Sequence, residues 1–183
     1  MPATVKKQIW FLSSEDGITP REEIGLMDSG EGVLIPGSLM YLSQSGTWKK
    51  AATSTITLTD NIVHGVFAGT VNKATTWPIT AQLAANTKIL IKRITTKQLF
   101  AVYCEATGVD SAVTQANVGN NYGLTISATA GEVGYVTLDL DNTYLGVTVV
   151  DIMSNRDAKY TTSDSPGVAV VRFRAANIDA SLA

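Results

Sequence analysis

Between residues 99 and 106 apolar side chains fill both phases of a two-residue alternation: Phe100, Val102, Cys104 and Ala106 in one, Leu99, Ala101 and Tyr103 with Glu105 in the other. Side chains of a strand alternate between its faces, so this pattern predicts a central strand covered on both sides. The preceding run at 89–94 is aliphatic and breaks into Lys92-Arg93, and Thr95-Thr96-Lys97-Gln98 follows as a short polar connection. Two strand-like runs joined by a turn predict a hairpin.

The rest of the chain repeats this signal in shorter pieces. Residues 38–42 and 47–51 flank Ser43-Gln44-Ser45-Gly46, a second predicted hairpin in which Gly46 supplies the left-handed position. Residues 54–59 alternate, Asp60-Asn61 break the pattern, and 62–68 resume it; 122–129, 133–140 and 147–153 read as further strands, with Val136, Leu138 and Leu140 on one face. In 168–175 Val171 and Phe173 point one way and Arg172 and Arg174 the other, which predicts a half-exposed strand. Helical signals are few. Thr19-Pro20 followed by Glu22 and Glu23 resembles a helix start, limited to one or two turns by Gly25, Gly30 and Gly32. Residues 111–118 predict one short helix, capped by Asp110 or Ser111, with Val113 and Val118 facing inward. The stretch 69–87, interrupted by Pro78, reads mostly as loop.

Eight to ten short strands with turn signals roughly every ten residues predict an all-β sandwich or barrel. The N-terminus fits this pattern least. Residues 1–8 are polar, and the apolar cluster Ile9, Trp10, Phe11 and Leu12 is cut off by Ser13-Ser14-Glu15-Asp16-Gly17. Two readings follow: an extended N-terminal arm whose Trp and Phe anchor in a partner's pocket, or an edge strand of the sandwich. The first divides the chain into an arm or extension at 1–31 and a β-rich core domain at 32–183.

Composition adds constraints. Charged residues are 16% of the 183, against 45% hydrophobic, below the roughly 25% usual in soluble domains; such a surface predicts burial between subunits. A net charge of -2 argues against nucleic acid as a direct partner, since that affinity grows with the number of Lys and Arg contacts. One cysteine, Cys104, leaves no intrachain disulfide, and its apolar strand makes it a small buried hydrophobe. No apolar run reaches the ~20 residues of a membrane helix, and residues 9–12 are too short for a signal-peptide core, so the chain reads as soluble and unexported.

Candidate chemistry is sparse. The single histidine, His64, sits beside Val63 and Val66, and with one His and one Cys there is no zinc-ligand spacing. Asp139, Asp141 and Asn142 lack the further acids and closing Glu of a calcium loop. Glu105, Asp110, Asp139 and Asp151 could be paired as glycosidase carboxylates, a signal without specificity. Neither phosphate-binding glycine motif occurs. No catalytic, cofactor-binding or metal-binding residue is therefore assigned, and a non-enzymatic protein is expected.

One order of features runs from about residue 32 to 178: Gly37, Leu39 and Tyr41; Ile62 with Gly65-Val66; 89–91; Leu99-Phe100-Ala101-Val102; and Ala116-Asn117-Val118-Gly119-Asn120-Asn121. In this order the chain resembles the capsid decoration (cement) proteins of tailed bacteriophages. Gly134-Tyr135-Val136-Thr137-Leu138-Asp139, 149–155 and 168–177 are similar to the family's last three strands, whereas residues 77–85 and the first thirty have no counterpart. The resemblance implies a β-sandwich or β-tulip-like barrel, a homotrimer, the major capsid protein as partner, and a place on the outer capsid surface of a virion assembled in the host cytoplasm. Ile9, Trp10, Phe11 and Leu12 are then the candidate capsid contacts. The alternatives are another phage structural module, from tail or head completion, and a small-ligand-binding β-barrel.

Overall fold

The structure, a computed structural model, describes residues 9–28, 34–43, 45–51, 63–71, 83–126, 136–141, 146–175 and 178. Twelve strands are defined among them: β1 (Trp10–Ser14), β2 (Glu22–Leu26), β3 (Leu39–Leu42), β4 (Trp48–Lys50), β5 (Gly65–Thr70), β6 (Lys88–Arg93), β7 (Gln98–Ala106), β8 (Val109–Asp110), β9 (Asn121–Ile126), β10 (Val136–Asp139), β11 (Val147–Ile152) and β12 (Val168–Phe173). The protein is all-β, and no α-helix occurs among the described residues.

The strands divide into two bodies. β7, β10, β9, β11 and β12 pair in that order, and β12 returns to β7, which closes a five-stranded barrel. All its pairings are antiparallel except β10 with β7. The second body is an antiparallel sheet in the order β2-β6-β5-β3-β4. β3 and β4 form the predicted hairpin, with Gly46 at φ 77° in the turn.

The nine-residue β7 organises the barrel because both its faces are apolar. Phe100, Val102 and Cys104 join Leu124, Ile126, Leu138, Val149 and Phe173 inside. Leu99 and Ala101 face outward yet are covered by Val168, Val170 and Met153. That cover also buries Val168 and Val170 of β12, so only its Arg172 end is half open, less than the alternation predicted. One edge of β7 is shared end to end. β1 occupies it at Gln98–Ala101 and β10 at Tyr103–Glu105, while β12 takes the opposite edge.

Three expectations are corrected. The runs at 88–93 and 98–106 do not form a hairpin: β6 has β2 and β5 on its two edges, so the chain crosses to the barrel. The connection is a turn nonetheless, closed by the Thr95 N–H donating to Gln98 Oε1 at 3.1 Å, and buried Ile94 donates its N–H to the His64 carbonyl. Glu22 and Glu23 do not start a helix, because their carboxylates meet Lys92 at 3.4 Å and Arg93 at 2.8 Å across the β2–β6 pair. Gly25, which weakens a helix, is needed here: a Cβ on it would lie 2.3 Å from the ring of buried Trp48. The short helix at 111–118 is a single 3₁₀ turn at Gln115–Asn117, with Val113 buried and Val118 half-buried.

The strand predicted at 54–59 lies outside the described residues, as do 1–8 of the N-terminal arm. Residues 9–28 of the segment set apart as 1–31 supply β1 and β2, one strand to each body.

Candidate interaction surface

Of the two readings of Ile9, Trp10, Phe11 and Leu12, the fold contains the edge strand. β1 pairs antiparallel with β7, Trp10 opposite Ala101 and Phe11 opposite Phe100, with a bulge before Ser13. The alternation then sorts the side chains. Ile9, only 2% exposed, is part of the barrel core, and Phe11 packs on that core with its ring edge-on to Phe100 at 6.0 Å. Trp10 and Leu12 lie on the outer layer of β7, where the Trp10 ring meets Tyr103 at 5.5 Å. An arm independent of the core is thereby corrected to a core strand, because both phases of the cluster find apolar partners on β7. Trp10, Phe11 and Leu12 remain half-buried, so part of each faces outward.

Beside β1 a groove of about 200 Å³ opens between barrel and second sheet. Trp10 and Phe11 line it from the barrel side, Val66 and Ala68 from β5, and the Glu22–Lys92 ion pair from its lip. Its lining residues Glu22 and Lys92 belong to one face of the β2–β6 pair. Directly paired residues of an antiparallel pair share a face; the pairs Glu22 with Lys92, Ile24 with Leu90 and Leu26 with Lys88 therefore form three rows on one surface. Ile24 is 63% and Leu26 41% exposed, and Leu90 is half-buried. This is a short apolar stripe framed by charges of both signs.

The sequence carried the signal for this stripe. Glu22, Ile24 and Leu26 alternate with Glu23 and Gly25, and Lys88, Leu90 and Lys92 alternate with Ile89 and Ile91; period two in both stretches marks strands with distinct faces. In the first stretch the helix-start signature of Thr19-Pro20 with Glu22 and Glu23 overlies that alternation.

The residues considered for chemistry are placed as structure. His64 is buried, its Nδ1 accepting the Leu42 N–H at 2.8 Å and its ring edge-on to Trp48. The ring thereby ties β3 to the residues leading into β5. Cys104 is fully buried, and burial pushes its thiol up to about 12, which makes it inert at neutral pH. Burial, with Tyr160 nearby, raises the Tyr103 hydroxyl above its ordinary range. Glu105 and Asp139 face each other across β7 and β10, Asp110 lies opposite Glu105 on β8, and Asp151 is on β11 bonded to Arg156. Asp141 accepts from Thr107, and Asn142 lies outside the described residues. Among the described residues no three His, Cys, Asp or Glu side chains gather as a metal site.

No protein-family model matches the chain, and no curated protein matches it in sequence.

Proposed function

We propose that this protein is a structural, non-enzymatic decoration protein of a bacteriophage head, binding the outside of the shell and bridging major capsid subunits. The observation that carries the reading is the half-open apolar surface running from Trp10 and Phe11 across the groove to Leu90, Ile24 and Leu26. Aromatic side chains half-sunk in a fixed sheet suit a docking face, since they present area with little ordering cost. The ordered resemblance along residues 32–178 supports the same reading and adds assembly as a trimer. Such a protein stabilises a shell by linkage: burial at each bridge must be undone before neighbouring subunits part.

The test is binding of the purified chain to heads of its phage made without it. Saturable co-sedimentation at a fixed ratio to the major capsid protein is expected, weakened roughly tenfold or more in Trp10→Ala if Trp10 is an interface anchor. Absence of binding, together with only a few copies per virion, would assign the protein to tail or neck instead.

A further inference from the structure

We infer that the groove beside β1 is a receptor for one tyrosine side chain of the docked partner. This deepens the docking reading above, and rests on it for the source of the ring; the choice of ring follows from the size and lining of the groove. Its volume of about 200 Å³ exceeds the roughly 150 Å³ of an apolar cavity that takes up benzene, so it admits one aromatic ring. Ile9, Phe11, Val66, Ala68 and Phe100 supply the apolar lining. The rings of Phe11 and Phe100 already stand edge-to-face, 6.0 Å apart at 78°, and a further ring extends that packing, which adds to what area burial alone gives.

The polar end of the groove selects among rings. Val66, Lys92 and Glu22 form one cross-strand row over β5, β6 and β2, so the lining turns from apolar to charged over a strand spacing of about 4.8 Å, the scale of one phenol. At the charged end Lys92 Nζ and Glu22 Oε1 lie 3.4 Å apart with their side chains 40% and 47% exposed, which leaves ammonium hydrogens and carboxylate lone pairs turned to solvent. A ring seated on Val66 displaces that water. A phenol hydroxyl has one hydrogen to give and lone pairs to receive, so it bridges the pair, donating to Glu22 and accepting from Lys92. Other side chains match less of the site. Phenylalanine covers the pair and satisfies neither member, which costs free energy, and an aliphatic chain does the same without the ring contacts. A basic side chain meets its like in Lys92, and an acidic one in Glu22.

The test uses the full chain with capped single residues as probes, and needs no capsid. N-acetyl-tyrosinamide is expected to bind saturably in the millimolar range, shifting the backbone amide resonances of Phe11, Val66 and Ala68 in an NMR titration. N-acetyl-phenylalaninamide should bind about tenfold more weakly, the size of one hydrogen bond to a charged group. Glu22→Ala, at a position nearly half exposed, should leave the fold intact and bring the two probes to equal affinity, whereas Ala68→Leu, which fills the groove, should abolish both titrations. Equal affinity of the two probes for the parent chain, or a tyrosine preference that survives Glu22→Ala, would overturn the choice of tyrosine. Absent shifts, or shifts that survive Ala68→Leu, would overturn the site. Each of these results leaves binding to heads standing, and a chain that takes up the tyrosine probe but does not sediment with heads would instead remove the docking reading.

Discussion

At the scale of single residues, the two faces of β7 and the ends of β12 make opposite demands on substitution. Phe100 is 2% exposed, with the rings of Phe11 and Phe173 edge-on at 6.0 and 5.5 Å. Phe100→Ala should lower stability by about 3–5 kcal/mol, the cost of truncating a buried aromatic. Arg172 is about a third exposed and paired with Glu15, itself nearly half exposed; solvent screens such a pair, and Arg172→Ala should cost at most about 1 kcal/mol. Chemical denaturation of both variants checks the contrast, and equal losses would place Arg172 in the core. Asp151 supplies a pH dependence. Partial burial would raise its pKa, but hydrogen bonds from Arg156, Asn155 and the Ile152 N–H outweigh this and lower it below 3.8. A carboxylate depressed in the folded state stabilises above its unfolded pKa, and that contribution is lost as pH falls through the folded value. Asp151→Asn should therefore reduce the melting temperature at neutral pH and have progressively less effect below about pH 4.

At the scale of elements, what the sequence made legible was periodicity, and what it hid was pairing. The alternation in 99–106, 133–140 and 168–175 placed Phe100, Val102, Cys104, Val136, Leu138, Val171 and Phe173 on the faces they occupy. Nothing local says which strand a strand will pair with. The four-residue link at 94–97 is as suited to a crossover as to a hairpin, and the choice is made by β2 and β5 taking both edges of β6. Likewise Glu22 and Glu23 carry a helix-start signature that cross-strand Lys92 and Arg93 override. The candidate site was half visible: its aromatic cluster stood out, but the partner strand that converts an arm into β1 lies some ninety residues away. With Ile9 in the barrel core, removing residues 1–12 should yield an unstable or insoluble chain, and Ile9→Ala alone should cost about 2–5 kcal/mol. A shortened protein that melts at the parent temperature would mean that the pairing of β1 with β7 contributes little.

At the scale of the whole molecule, the question is whether barrel and second sheet fold as one unit. The sheet has an interior of its own, Met27, Leu34, Met40, Trp48, Phe67, Ile89 and Ile91, which by itself would favour independent melting. Against this, the barrel core is continuous with residues of the sheet and its flanks: Leu39, Ala51, Val63, Val66 and Ile94 pack in the same cluster as Phe100, Leu124 and Phe173. The groove between the bodies is bordered by β1 on one side and β5 on the other, and the short connection at 94–97 starts on buried Ile94. A shared core of several fully buried aliphatic residues, each contributing on the order of 1.5–3 kcal/mol, outweighs the few kcal/mol by which the stabilities of two small bodies could differ. Unfolding should therefore be a single transition. The checks are a calorimetric enthalpy equal to the van't Hoff value, and a melting curve from the fluorescence of Trp48, buried in the sheet and made the sole tryptophan by Trp10→Phe and Trp77→Phe, that coincides with one from far-ultraviolet circular dichroism of the same variant. Val66→Asp, which places a charge at the junction, should lower the one transition without splitting it; an early fluorescence transition in the single-tryptophan variant would show that the sheet melts apart from the barrel.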